Sequence, residues 1–232
     1  MMVARQPIVI LGGFLSPAAL YAKMSRSLSE LSGQKTWVVN THIYDWIASF
    51  ARPGWAHLLN LLDATVHQAA AESDSGKVCL VGHSQGGILA RLYLSPEPFM
   101  GRRYNGRKYV QHLITLGSPH LNQGGLQRGG IMARWVQQRV PDAAFAPQVR
   151  YTSVAGRSVR GDLNGSSKER TASKVYRQIC GDGNVWGDFI TPEPAALLPG
   201  SEQISLDGVS HFSVFGEPWY GSEAALPLWW RP

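Results

Sequence analysis

The sequence predicts an α/β fold built on one open, mostly parallel sheet flanked by helices, with a small lid insertion over residues 118–148. Three observations carry this. Apolar runs end repeatedly in glycine and alternate with stretches of helical spacing, as parallel sheets require. At least six such runs occur in 232 residues, a length that fits a single domain over 1–232 and buries a core without disulfide staples. One run, in KVCLVGHSQGGILARLYL (residues 77–94), passes directly into a helical pattern across a serine framed by glycines.

In order along the chain, PIVILGG reads as a buried strand closed by Gly12 and Gly13. PAALYAKMSRSLSEL places Leu20, Met24, Leu28 and Leu31 at helical spacing, with Ser16 as N-cap before Pro17. TWVVNT is the next strand, and WAHLLNLLDATVHQAAAE a helix with Leu58, Leu62 and Val66 on one face. After KVCLVG and QGGILARLYL come YVQHLITLG, ending at Gly117, and VRYTSVAG, ending at Gly156. SKVYRQICG reads as a further strand, and EQISLDG is the last. Two stretches break the alternation. Residues 118–148 do not promptly make a strand, and 157–173 (RSVRGDLNGSSKERTAS) are polar and Gly/Ser-rich, which reads as an exposed loop. Long insertions at strand ends are often lids or binding loops.

Composition narrows the classes. The net charge of +6 is scattered, apart from GRRYNGRK at residues 101–108, which reads as a solvated loop rather than a nucleic-acid surface. A basic face favours an anionic membrane surface or an acidic substrate only as an accessory effect. No apolar run approaches the ~20 residues of a spanning helix. The N-terminal apolar run is too short and too Gly-rich for a secretory signal, so an intracellular, cytoplasmic chain is expected. Cys79 lies inside an apolar strand and Cys180 far along the chain, and nothing requires them to pair. No cofactor and no metal are called for.

The strand–serine–helix junction has the context that a bare G-x-S-x-G match lacks. A nucleophile elbow needs a strand, a sharp turn and a helix, with the serine on the turn. Gly82 and Gly86 relieve crowding there, and Ser84 falls at a helix N-terminus that favours a developing anion. A serine hydroxyl needs a base, and the base an orienting carboxylate, in the chain order serine, acid, histidine. Three histidines follow Ser84. His112 lies within a strand. His120 follows TLGSP near the expected rim and could touch substrate, but it precedes any suitable acid. His211, on the turn after the last strand, is the predicted base. For the acid, Asp182 sits in GDGN, where Asx-turn chemistry explains it. Asp188 precedes an apolar Phe-Ile pair that can aim it inward and is the choice, ahead of Asp162 in the polar loop and Asp207 on a turn. The Gln85 amide should be one oxyanion donor, and the Phe14 amide, after Gly12-Gly13, the second.

PIVILGGF, VGHSQGG, LITLGSPH and WGDFITP…SLDGVSHF together resemble lipase-like α/β-hydrolases over nearly the whole chain. They look most like a cyanobacterial and plastid group distantly similar to GPI-anchor inositol deacylases and bacterial triacylglycerol lipases. That group carries a Gly-Asp-Gly-(Ile/Val)-(Thr/Val)-Pro acid motif, here residues 187–192, and a WYGS, here 219–222. The resemblance implies Ser84 as nucleophile, Asp188 as acid and His211 as base. Two departures stand out: Phe189 where glycine is usual, and Gly-Gly-Phe where relatives have His-Gly or Pro-Gly.

GGIMARWVQQRV puts Ile131, Met132, Trp135 and Val136 on one helical face, which suits either a lid over an acyl chain or a helix packed on the domain. The aromatics Trp219, Tyr220, Trp229 and Trp230 read as a seal for the C-terminus. The expected activity is hydrolysis of a carboxylic ester with a hydrophobic acyl group. A thioesterase or acyltransferase using the same acyl-enzyme, and a non-catalytic binding protein, are the alternatives. The expected partner is a small-molecule ester or lipid, with peripheral membrane contact and no nucleic acid.

Overall fold

A computed structural model of the protein describes residues 6–123 and 130–231. Eight strands are described: β1 (Ile8–Leu11), β2 (Thr36–Val38), β3 (Val78–His83), β4 (Val110–Leu116), β5 (Arg150–Arg157), β6 (Val159–Arg160), β7 (Trp186–Gly187) and β8 (Glu202–Asp207). Six form one sheet in the order β2-β1-β3-β4-β5-β8, and β6 pairs antiparallel with β7. The pairs β1–β2, β1–β3 and β5–β8 are parallel. The helices are α1 (Ala22–Ser32), α2 (Ile43–Ala48), α3 (Arg52–Ala71), α4 (Gln85–Leu94), α5 (Gly130–Arg139), α6 (Ser167–Cys180), α7 (Glu193–Ala196) and α8 (Leu226–Trp229). This is the mostly parallel α/β sheet that the sequence predicts. The chain divides into two compact units, Met1–Ile114 with Ala144–Tyr151, and Thr115–Ala143 with Thr152–Pro232.

In the first unit β1 and β3 are buried along their whole lengths, as parallel strands covered on both faces must be. Helix α3 lies on β1, β2 and β3, and its face of Leu58, Leu62 and Val66 is fully buried. Cys79, within β3, is free, and burial pushes its thiol up to about 12. The segment before α1 departs from expectation. Ser16 caps no helix. Pro17 is extended and opens a 3-10 turn at Ala18–Tyr21, and α1 starts only at Ala22. Met24 and Leu28 are buried, whereas Leu20 and Leu31 are exposed. Leu20 belongs to the tighter 3-10 turn, whose three-residue repeat takes it off the α1 stripe.

In the second unit the stretch SKVYRQICG, expected as a strand, is the C-terminal part of α6 with Gly181 as its left-handed C-cap. The reason lies just upstream. Ser166 accepts the Glu169 amide and Glu169 reaches back to the Ser166 amide, a capping box that starts the helix inside the supposed loop. Ala172 and Tyr176, one turn apart, are buried with Val159 and packed by Val175, Val185 and Phe189. The rest of the expected loop is not all irregular either, since Val159 and Arg160 pair with Gly187 and Trp186.

The lid expectation falls partly outside the described residues, which omit 124–129. Helix α5 buries Met132, Ala133 and Val136 and exposes Ile131, so Ile131 is not on the buried face. Among the described residues no helix is long and apolar enough to cross a membrane.

The capping box yields a stability test. Ser166→Ala should lower the thermal unfolding midpoint by about 2–4 °C, read by circular dichroism, because it removes the acceptor for an orphan amide of α6.

Candidate active site

Strand order reverses between β1 and β3: the chain leaves β1 for β2 on one side and returns to β3 on the other. Open α/β sheets bind ligands outside the carboxyl ends of the strands at such a switch point. Leu11, ending β1, pairs in register with Gly82 near the end of β3, so the loop Gly12-Gly13-Phe14 and the turn at Ser84 emerge side by side.

The turn is built from close approaches. A Cβ on Gly82 would stand 2.5 Å from the Gly87 Cα, and one on Gly86 would overlap the Leu11 and Gly12 carbonyl oxygens. Ser84 is held at φ 53°, ψ −125°, a strained conformation for a residue with a side chain. From Val78 to Leu94 it is the one residue that is not buried. Gly13 faces it: a Cβ there would lie 2.7 Å from the Ser84 Cβ.

A buried tyrosine fixes the facing loop. The Gly13 amide donates to the Tyr21 hydroxyl at 2.9 Å, and that hydroxyl bonds His83 Nδ1 at 2.8 Å. Burial raises the Tyr21 phenol well above its ordinary value, so it stays protonated. The Gly13 amide is thereby occupied, and the next one, of Phe14, donates to nothing among the described residues. Gln85 opens α4, and the first amides of a helix have no intrahelical acceptor. Phe14, Ser84 and Gln85 all belong to the first unit.

Asp188 and His211, in the second unit, meet directly. His211 Nδ1 lies 2.7 Å from Asp188 Oδ2, and the His211 amide donates to the Asp188 carbonyl at 2.9 Å. Both residues are buried. Nδ1 bonded to the carboxylate leaves Nε2 as the basic nitrogen. Asp188 Oδ1 accepts the amides of Ile190 (3.0 Å) and Thr191 (2.6 Å), and Oδ2 also accepts the Tyr220 hydroxyl (2.8 Å). The carboxylate therefore takes four hydrogen bonds. Tyr220 in turn accepts the Gly156 amide at 2.7 Å and is anchored by Trp229 Nε1 on its carbonyl at 2.9 Å. Burial first, then the Asp188 charge, lifts the Tyr220 phenol far above its usual range and keeps it a donor.

The remaining candidates have other occupations. Asp182 and Asp162 are exposed and each accepts the amide two residues on, of Asn184 and Asn164. Asp207 is exposed and pairs with Arg157. His120 is fully buried, bonded to Thr115 Oγ1 at 2.9 Å, rather than standing at a rim. His112 is buried within β4. Tyr21 and Tyr220 escaped the sequence reading, which took the C-terminal aromatics as packing. Gly117 and Gly156 did too: beyond ending strands, they leave room for Asp188 and Tyr220, which a Cβ at either position would crowd. Among the described residues no cluster of three or more His, Cys, Asp or Glu could hold a metal.

The model of the palmitoyl protein thioesterase family matches residues 7–172, well over half of the chain. This chain belongs to the palmitoyl protein thioesterase family. The span that identifies the thioesterase family includes Phe14, Ser84 and Gln85 and stops before Asp188 and His211. No curated protein matches the sequence. Among solved structures it is similar to lipase B of Aspergillus fumigatus (13% identity, 86% of this chain and 44% of that one, TM-score 0.49). It is also similar to a putative α/β-superfamily hydrolase of Xanthomonas campestris pv. campestris (14%, 88% and 87%, TM-score 0.44). A third is tomato methylketone synthase I, complexed with 2-tridecanone (11%, 93% and 94%, TM-score 0.47). The chain spans less than half the length of lipase B and of a pyrethroid hydrolase that it also matches.

Tyr220→Phe removes a donor from a buried carboxylate and should cost about 1–3 kcal/mol of stability near pH 8. The raised phenol pKa means the folded protein keeps a proton that the unfolded chain releases above pH 10.0. Tyr220 thus contributes its full stabilisation below that pH and loses it as pH climbs. Denaturation of both proteins at pH 8 and above pH 10 should show the gap between wild type and variant narrowing in alkali.

Proposed function

We propose that this member of the thioesterase family is a serine hydrolase that cleaves acyl thioesters of hydrophobic acids through an acyl-enzyme. The observation that carries the reading is Ser84, strained at φ 53°, unburied at the head of α4 and facing the Gly13–Phe14 loop. A strained residue at a switch point is a mark of function rather than of packing.

In this reading His211 Nε2 accepts the Ser84 proton as Oγ attacks the acyl carbonyl carbon. The Phe14 and Gln85 amides stabilise the resulting oxyanion. Collapse of the tetrahedral species breaks the C–S bond, and the thiol leaves with the proton held on His211. Water, deprotonated by the same nitrogen, then attacks the acyl-enzyme, releasing the fatty acid and restoring Ser84. Asp188 holds His211 in the tautomer with Nδ1–H and offsets the imidazolium charge. Tyr220 and the Ile190 and Thr191 amides hold that carboxylate in place. None of these steps draws on a cofactor.

A second reading is hydrolysis of oxygen esters, as in lipases and esterases. It is favoured by the lipase-like motifs at residues 187–192 and 219–222, which lie outside the span shared with the thioesterase family. Both reactions pass through the same acyl-enzyme and differ in the leaving group. A thiol, with an ordinary pKa of ~8.5, departs with less help from a general acid than an alcohol does.

Fluorophosphonate labelling of purified protein, beside Ser84→Ala and His211→Ala, tests the serine. Wild type should label and both variants should not, with turnover reduced about 10⁴- to 10⁶-fold. Matched palmitoyl thioester and oxygen-ester substrates then separate the two readings by kcat/KM. Folded wild type that neither labels nor turns over either substrate would leave a non-catalytic binding protein.

A further inference from the structure

Outside the residues given a chemical role, the first unit carries a dense apolar surface. Six large hydrophobic side chains, Leu15, Leu20, Ile43, Tyr44, Ile47 and Phe50, are each between 41% and 65% exposed. They come from two segments tied together by hydrogen bonds: the Ala18 amide donates to the Thr41 carbonyl, and the Thr41 hydroxyl to the Ser16 carbonyl. Three of them stand on α2, a helix of six residues. Solvent-facing apolar side chains at this density are unusual on a protein surface and mark an interaction site.

The helix is built to hold them outward. Asp45 and Trp46 turn inward, where Asp45 accepts the His42 amide at 2.7 Å and lies 2.8 Å from His57 Nε2. The exposed face therefore carries no carboxylate from α2. Leu15 sits at φ 58°, the left-handed region, so the chain is strained at a residue that is not buried. Along the sequence the patch is flanked by the exposed cations Lys23, Arg26 and Arg52, with Glu30 one turn beyond Arg26. Phe14 joins the patch to the switch point: its ring lies 5.4 Å from Phe50 and 6.5 Å from the buried Trp46.

We propose that this face docks the protein onto an anionic lipid bilayer, with Leu15, Leu20, Ile43, Tyr44, Ile47 and Phe50 entering the headgroup–acyl boundary. Protruding apolar side chains fit a soft apolar phase, the Tyr44 ring suits an interface with one wet edge, and the flanking cations meet anionic headgroups. The seating is interfacial rather than spanning. It sets the Ser84 turn beside the layer from which an acyl chain would come, although docking itself requires no catalysis.

Sedimentation of the full chain with vesicles tests this, using phosphatidylcholine alone and phosphatidylcholine with phosphatidylglycerol. Wild type and Ser84→Ala should pellet alike with the anionic vesicles, less with the neutral ones and less in high salt. Ile47→Asp and Tyr44→Asp should each weaken partitioning about tenfold or more. Val214→Asp, at an exposed apolar residue elsewhere, should leave it unchanged. Circular dichroism confirms that the variants fold. Failure of wild type to bind either vesicle, or binding that both patch variants retain, overturns the proposal. So does concentration-dependent self-association lost in those variants, which would assign the face to a second copy of the chain. Because the readout is binding, a failed hydrolase reading would leave the outcome intact.

Discussion

Where β1 ends and α4 begins, two backbones come so close that no side chain fits between them. The carbonyl oxygens of Leu11 and Gly12 occupy the place of a Cβ on Gly86, and the α4 backbone at Gly87 does the same for Gly82. Approaches of this kind carry no hydrophobic gain of their own; they are tolerated because β1, β3, α3 and α4 are buried around them. Their consequence is geometric. The turn between β3 and α4 has no freedom to relax, so Ser84 keeps a positive φ that a looser junction would surrender. The same tightness brings Gly13 against the Ser84 Cβ, with Tyr21 fastening the Gly13 amide from behind. The exposed Ser84 and the Gly13–Phe14 loop that faces it are thus products of one packing constraint.

The second unit meets a different problem, a carboxylate removed from water. An isolated buried charge is costly, and the cost falls only when its lone pairs are filled. Asp188 fills all four, with two amides from its own turn, one phenol and one imidazole. Tyr220 is the member that reaches furthest, because its hydroxyl also receives the Gly156 amide and so ties the acid to β5. The arrangement leaves the imidazole the one partner with a second nitrogen to offer.

Parallel strands and the elbow were legible because their signals are local. A continuous apolar run ending in glycine needs no tertiary information, and Gly82, Ser84 and Gly86 announce a close approach by composition alone. Asp188 was legible from the apolar Phe-Ile pair after it. In the structure Asp182 and Asp188 both accept the amide two residues on, and what sets Asp188 apart is burial against His211 and Tyr220. What failed depended on context. SKVYRQICG alternates well enough to pass for a strand, and only the cap at Ser166 and Glu169, lodged in an apparent loop, sets its period at one helical turn. Ser16 offered a good cap to a helix that starts six residues later. Tyr21 carried no signal, and Tyr220 only its place in the WYGS stretch, which says nothing of what its hydroxyl meets. A tyrosine's role is set by what lies beside its hydroxyl, and in both cases the decisive partners are distant in sequence, 62 residues for Tyr21 with His83 and 32 for Tyr220 with Asp188.

Phe189 joins these themes. The acid turn must bring the Ile190 and Thr191 amides onto one carboxylate oxygen, and it does so with residue 189 at φ 88°. Glycine, usual here in the lipase-like group, meets that demand without strain, whereas a side chain costs roughly 1–3 kcal/mol. In this chain the ring packs on Val159, Ala172 and Tyr176, lies 5.3 Å from Phe215 and sits under Lys168, while its amide donates to the Tyr176 hydroxyl. Burial of an aromatic ring is of the same order as the strain and opposes it. With phenylalanine the shape of the turn is fastened to α6. The loop that carries Asp188 is here braced by the helix that the sequence pattern concealed.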